Sequence, residues 1–167
     1  MQYCLDANVF IEAHRRYYAF DIAPGFWEAL AEWAEQAIIC SPLPVYDELV
    51  RSRDQLSEWA KNHRETLFVN PDQATVTAYS RIANLVNLRY EPHHVQGFLS
   101  GADPWVIACA KAHNLVVVTM EALKQEQRDQ RSGRYKGRIK IPNVCQLVRV
   151  GYINTFDLLR ALGRTLR

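Results

Sequence analysis

The run Leu115-Val116-Val117-Val118-Thr119 constrains the fold more than any other part of the chain. A strand with one wet face alternates apolar and polar residues, and this one does not. It must be covered on both faces, which is the condition of a strand inside a parallel sheet packed between helices. The segment before it agrees. Asp103-Pro104 opens a helix over Trp105–His113, and Asn114 stops it.

The same alternation runs through the chain. Gln2–Leu5 reads as a strand, Asn8–Tyr18 as a helix, and Pro24–Gln36 as a second helix with Trp27, Leu30, Ala31 and Ala34 on one face. Ala37–Cys40 reads as the next strand, and Pro44 starts a helix over Val45–Arg51. Asp54 caps a helix through Trp59 and His63, Thr66–Val69 is a short strand, and Asn70-Pro71 opens a helix to Leu88. Glu91–Leu99 is a further helix, Val144–Val148 a last strand, and Thr155 caps the final helix. Strands alternating with helices predict a parallel α/β sheet with both faces covered.

At 167 residues the chain is sized for one domain, with no internal repeat and no Pro/Gly/Ser-rich linker. No apolar run approaches the roughly 20 residues that span a bilayer, and strand-like residues follow Met1 directly, leaving no room for a signal peptide. The expectation is a soluble, cytoplasmic protein. Cys4, Cys40, Cys109 and Cys145 stand singly among apolar neighbours, which favours buried thiols over disulfides or a structural zinc site.

The net charge of +2 hides an asymmetry. Lys124–Lys140 holds seven basic and two acidic residues, while the remainder holds 13 basic and 16 acidic. A mildly acidic body therefore carries one strongly basic segment.

In open parallel sheets ligands bind beyond the carboxyl ends of the strands. Asp6 ends the first strand, Glu48 lies on the helix after the second, Asp103 opens the Trp105 helix, and Glu121 follows the Leu115–Thr119 strand. Singly, Asp103 reads as an ordinary helix start, Glu48 as a solvated helix residue, and Glu121 as the opening of the next helix. Asp6 is different, because a carboxylate directly after a buried strand is costly unless paired or metal-bound. Four carboxylates on one edge repel one another, and a hard divalent cation relieves that repulsion.

Leu5-Asp6-Ala7-Asn8-Val9-Phe10-Ile11 resembles the opening motif of the PIN-domain nucleases, an Asp after the first strand followed two residues later by Asn, Ser or Thr. Ala102-Asp103-Pro104-Trp105-Val106-Ile107-Ala108-Cys109-Ala110 resembles that family's third-acid motif. Glu48, in Tyr46-Asp47-Glu48-Leu49-Val50, matches the second acid, and Val117-Val118-Thr119-Met120-Glu121 resembles the segment carrying the fourth. Ile141-Pro142-Asn143-Val144-Cys145 fits the usual last strand. Position 121 carries Glu where the family more often has Asp, and the segment between the second and third acids is long and helical.

The resemblance implies a single PIN-like domain over residues 1–167, a three-layer α/β/α sandwich with a short, mainly parallel sheet and a helical insertion. It implies a metal-dependent endoribonuclease acting on single-stranded RNA, most like the small ribonuclease toxins of toxin–antitoxin pairs. A protein antitoxin is the expected partner, and the fold is compatible with a homodimer. Asp6, Glu48 and Asp103 would hold one or two Mg²⁺ or Mn²⁺ ions, with Glu121 acting through water. Asn8 and Thr119 would hydrogen-bond a metal ligand or the substrate.

The basic segment is either a solvated loop or an arm that follows a phosphate backbone, with Arg131, Arg134, Lys136 and Arg138 as contacts and Tyr135 stacking on a base. Arg15-Arg16 before Tyr17-Tyr18 is a weaker segment of the same kind. Glu12 is a candidate fifth acid, His14 a neighbour of the site, and Trp105 a candidate substrate contact; Trp27 and Trp59 fall on apolar helical faces. His93-His94 has no Cys or other His at ligand spacing, and adjacent helical residues point about 100° apart, so a surface pair is expected. Two other functions remain open. One is a catalytically weak RNA- or protein-binding module. The other is a phosphohydrolase of small esters, which Asn8 disfavours because that chemistry pairs a nucleophilic Asp with a second Asp two residues on.

Overall fold

The computed structural model describes residues 1–164. Strand β1 (Tyr3–Leu5) leads into α1 (Ala7–Glu12), which continues as a π-helical turn over Ala13–Tyr17. Helix α2 (Pro24–Glu35) returns to β2 (Ile39–Pro42), and α3 (Leu43–Leu49), α4 (Gln55–Asn62) and α5 (Arg64–Leu67) lead to β3 (Phe68–Val69). The long α6 (Gln73–Arg89) and short α7 (Pro92–Leu99) form the insertion before α8 (Asp103–His113) and β4 (Val116–Val118). A small antiparallel hairpin, β5 (Gln127–Arg128) and β6 (Tyr135–Lys136), precedes α9 (Ile141–Val148), β7 (Tyr152–Ile153) and α10 (Thr155–Ala161).

The five sheet strands run in the order β3-β2-β1-β4-β7 and pair in parallel throughout. From β1 the chain moves outward through β2 to β3, then crosses back to place β4 on the other side of β1. The order therefore reverses between β1 and β4, and that is where open α/β sheets bind ligands. The PIN-like sandwich expected from the sequence is the architecture observed.

Local chemistry accounts for most element boundaries. Asp54, Asp72 and Asn154 cap α4, α6 and α10 by accepting the backbone N–H three residues on. Asn114 ends α8 in the left-handed conformation with φ 54°. Two expected starts move. The cap of α6 is Asp72 and not Asn70, and that of α10 is Asn154 and not Thr155.

One expected strand is absent. Val144–Val148 lies inside helix α9, and the last strand is Tyr152–Ile153. Pro142 occupies the first turn, and Ile141, Val144, Cys145 and Val148 recur at helical spacing. The β-branched content of the segment suggests a strand, and its period decides for a helix.

Cys4, Cys40, Cys109 and Cys145 are all free and buried. Three of them converge, because Cys4 and Cys40 face each other across paired strands and Cys109 projects from α8. Trp27 and Trp59 pack edge to face with ring centroids 5.0 Å apart. Trp105 does not face the sheet edge; it stacks on Tyr79 with centroids 4.1 Å apart.

The basic segment is folded. Asp129 accepts the N–H groups of Arg131 (2.8 Å) and Ser132 (2.9 Å) and pairs with Lys136 (2.9 Å), closing the hairpin turn in which Gly133 has φ 70°. The Tyr135 ring lies between Arg89 and Arg128, 4.3 and 5.2 Å from its centroid. Arg134 donates to the carbonyls of Asn87 and Tyr90, the latter at 3.1 Å, and fastens the hairpin to the end of α6. Arg134→Ala should therefore destabilise the chain by about 1–2 kcal/mol in denaturant unfolding, whereas Arg131→Ala, on the exposed turn, should leave it within about 0.5 kcal/mol of wild type.

Candidate metal centre

Asp6 sits where β1 hands over to α1, and its backbone N–H bonds to Val118 O at 2.9 Å. The side chain is thereby fixed at the reversal point between β1 and β4. It is 1% exposed. Thr119, the residue after β4, donates its hydroxyl to Asp6 Oδ2 at 2.9 Å and accepts the Glu121 N–H at 3.1 Å. Because the amide occupies the oxygen as acceptor, the hydroxyl proton is directed at the carboxylate.

The other oxygen, Asp6 Oδ1, is buried with no hydrogen-bond partner. Such an orphan is costly. It is the observation that tests whether these residues suit a cation, and it fits one. Burial, then the charge of Asp103, and further the charge of Glu121, raise the Asp6 pKa to about 8, against the pull of the Thr119 hydroxyl and the Asn8 backbone amide. Burial, Glu121 and Glu48 likewise raise Asp103 to about 6, with Arg138 and Lys140 opposing. A divalent ion would reverse both shifts.

A cleft of about 340 Å³ opens over these groups, lined among others by Asp6, Asn8, Glu48, Asp103, His93, His94 and Arg138. Glu48 is held by the Ala102 N–H, which donates to Oε1 at 2.8 Å, and Gly101 leaves room for that approach. The three carboxylates share the cleft without converging on a point: they do not bring one oxygen each within 4.8 Å of one another.

Glu121 is placed differently from its expected role. One oxygen accepts from Lys140 (3.1 Å) and Arg138 (3.3 Å), and the other accepts the Ile141 N–H at 2.9 Å. It lies close enough to raise both aspartates, yet it does not line the cleft. Glu12 is turned toward Arg16 (3.2 Å), and His14 toward Asp54 (3.8 Å) and Phe20; neither lines the cleft. Of the segment's basic side chains only Arg138 lines it, beside Ile139, while Arg134, Tyr135 and Lys136 are engaged within the hairpin or its dock.

The histidine pair lies at the surface as expected, His93 exposed and His94 half-buried, and the structure adds its neighbours. His93 and His94 line the cleft, their ring centroids are 3.8 Å apart, and Glu91 joins them, donor atoms of all three lying within 4.8 Å. The signal in the sequence is Glu91-Pro92-His93-His94. A proline-started helix gathers its first turn around the capping residue, and a search for Cys or His ligands alone passes over the carboxylate.

A five-stranded parallel sheet in this order, flanked by helices, is a PIN-like fold. The sequence itself matches, over residues 3–166, the family described as Domain of unknown function (DUF4411), and the chain belongs to that family. No curated protein matches it. Among solved structures it is similar to VapBC2 from Rickettsia felis, solved bound to a DNA fragment from their promoter, with TM-score 0.55 and 14% identity over 92% of this chain and 98% of that one. It is also similar to VapBC-1 from nontypeable Haemophilus influenzae, with TM-score 0.53 and 14% identity over the same shares. At that identity the likeness is one of fold.

The raised pKa of Asp6 has a stability consequence. In the unfolded chain its carboxyl ionises near 3.8, and in the folded chain near 8. The stabilisation from keeping the folded group protonated is fully present below about pH 4 and is lost as pH rises toward 8. In chelator, wild type should become progressively less stable across that window. Asp6→Asn should flatten the dependence and be more stable at pH 8 by on the order of 2 kcal/mol or more. Denaturant midpoints measured from pH 4 to 8 in chelator check this, and an identical slope in both chains would contradict the assignment.

Proposed function

We propose that the chain is a divalent-metal-dependent endoribonuclease that cleaves single-stranded RNA and acts as the toxin of a toxin–antitoxin pair. The observation that carries the reading is Asp6: a buried carboxylate with one free oxygen, at the reversal point of a parallel sheet, sharing a cleft with Asp103 and Glu48. The solved neighbours are VapBC toxin–antitoxin complexes, which supports the nuclease class and a protein partner.

Asp6, Asp103 and Glu48 would hold the ion directly or through water. Bound there, Mg²⁺ or Mn²⁺ supplies a water of lowered pKa and neutralises charge on the leaving oxygen. The chain's own residues do the rest. Thr119 keeps Asp6 in one rotamer and favours its ionised form. Asn8, on the cleft wall, carries a side-chain amide suited to a phosphodiester oxygen. Arg138 places positive charge at the mouth of an acidic cleft that must admit a polyanion. An antitoxin side chain carrying a cation would fit the same acids and block them.

Cleavage of single-stranded RNA should require Mg²⁺ or Mn²⁺ and stop in EDTA. Asp6→Asn and Asp103→Asn should each lower it by roughly a hundredfold or more, about 2.7 kcal/mol of barrier, with the fold intact by circular dichroism. Activity that persists in chelator would sink the metal mechanism. The competing reading is a catalytically weak PIN-fold binding module, favoured by the spread of the carboxylates and the engagement of Glu121. It predicts RNA or partner binding with no cleavage at any divalent concentration.

RNA affinity separates the roles of the basic segment. Arg131 and Arg138 are its exposed guanidinium groups on the turn and at the cleft. Arg131→Ala with Arg138→Ala should flatten the slope of log affinity against log salt by roughly 0.7 for each phosphate that is no longer neutralised, leaving single-turnover cleavage at saturating RNA little changed. An unchanged slope would assign the segment to a protein partner.

A further inference from the structure

His93 and His94 line the cleft that holds the acids, and Glu91 beside them completes a compact donor set. Glu91 is the extended residue that caps α7, and its N–H bonds to Tyr135 O at 3.1 Å, so the docked hairpin fixes where the helix begins. Pro92 fills the first helical position, and His93 and His94 follow in the same turn. On a regular helix neighbouring side chains diverge by about 100°. Here the two rings lie 3.8 Å apart, centroid to centroid, with the Glu91 carboxylate within 4.8 Å.

Two imidazolium ions do not rest at that separation without a strong counter-charge. The pair presents imidazole nitrogens with the Glu91 carboxylate beside them. We propose that Glu91, His93 and His94 form a second cation site at the rim of the acidic cleft, selective for a borderline transition metal such as Zn²⁺ over Mg²⁺. Two imidazole nitrogens and one carboxylate suit Zn²⁺, and three protein ligands leave a fourth position for water or an incoming oxygen. Mg²⁺ prefers an all-oxygen octahedron, which Asp6, Asp103 and Glu48 are better suited to provide. The cleft would thus be lined by two donor sets of different hardness. This second site stands apart from the nuclease reading, since its donors are separate from the acids.

The test uses the full chain, stripped with chelator and titrated with Zn²⁺ against a chromophoric competitor. Asp6→Asn with Asp103→Asn should bind one equivalent of Zn²⁺ as wild type does. His93→Gln with His94→Gln should weaken that binding by roughly a hundredfold. Glu91→Gln should weaken it less, and serves as the second variant if the histidine pair disturbs folding. Co²⁺ in the same site should give visible d–d bands without a near-ultraviolet thiolate band. Zn²⁺ affinity that survives the histidine substitutions, or that disappears with the aspartates, would overturn the proposal. So would a thiolate band, which would put the ion on Cys4, Cys40 and Cys109. Absence of Zn²⁺ uptake by wild type would overturn it too. Mn²⁺-dependent RNA cleavage, assayed in parallel, reports on the acids and keeps the two readings apart.

Discussion

The buried carboxylate of Asp6 is the constraint around which the rest is arranged. A carboxyl group at 1% exposure, hydrogen-bonded at one oxygen only, is a standing cost in the folded chain. It is tolerated because the surrounding sheet and helices are over-determined. β1 pairs on both sides, and Val118 O fixes the Asp6 backbone. Thr119 then donates its hydroxyl to Asp6 while accepting the Glu121 N–H. Remove the sheet order that brings β4 beside β1 and this chain of hydrogen bonds has no ends to join.

The same constraint explains why so much of the site is legible in the sequence. Strand ends in a parallel sheet are marked by a switch from apolar run to polar residue, and Leu5-Asp6 and Val118-Thr119 both carry that mark. The helix-start chemistry of Asp103-Pro104 is equally local. What is not legible depends on contacts between distant segments. Glu48 is oriented by the Ala102 amide, which no local pattern announces. Tyr152–Ile153 pairs with β4 over two residues, too short for any period to register. The closeness of the two histidine rings and Glu91 is likewise a matter of side-chain placement that no spacing rule announces.

Charge in the basic segment is visible in the sequence as a sum and invisible as an arrangement. A solvated arm would leave most of its cations free for a polyanion. In the folded chain Lys136 closes the turn on Asp129, Arg134 binds carbonyls of the α6–α7 junction, and Arg128 and Arg89 flank Tyr135. Much of the segment's charge thus goes to holding it against the insertion helices. Its order in turn sets the rim of the cleft, since Tyr135 O anchors Glu91 and Arg138 faces the acids.

Glu121 joins these two halves of the molecule. Its side chain is 5% exposed and is shared between Lys140, Arg138 and the first amide of α9. An aspartate, one methylene shorter, would hold its charge nearer the backbone of the 119–121 turn and so nearer Asp6 and Asp103. The longer glutamate instead reaches across to the segment entering α9 and draws two cations with it. Electrostatically it still acts on the acids, raising both aspartates. The cations it recruits act the other way on Asp103. At position 121 the fourth carboxylate therefore acts as a clamp that brings compensating positive charge to the edge of the acidic cleft.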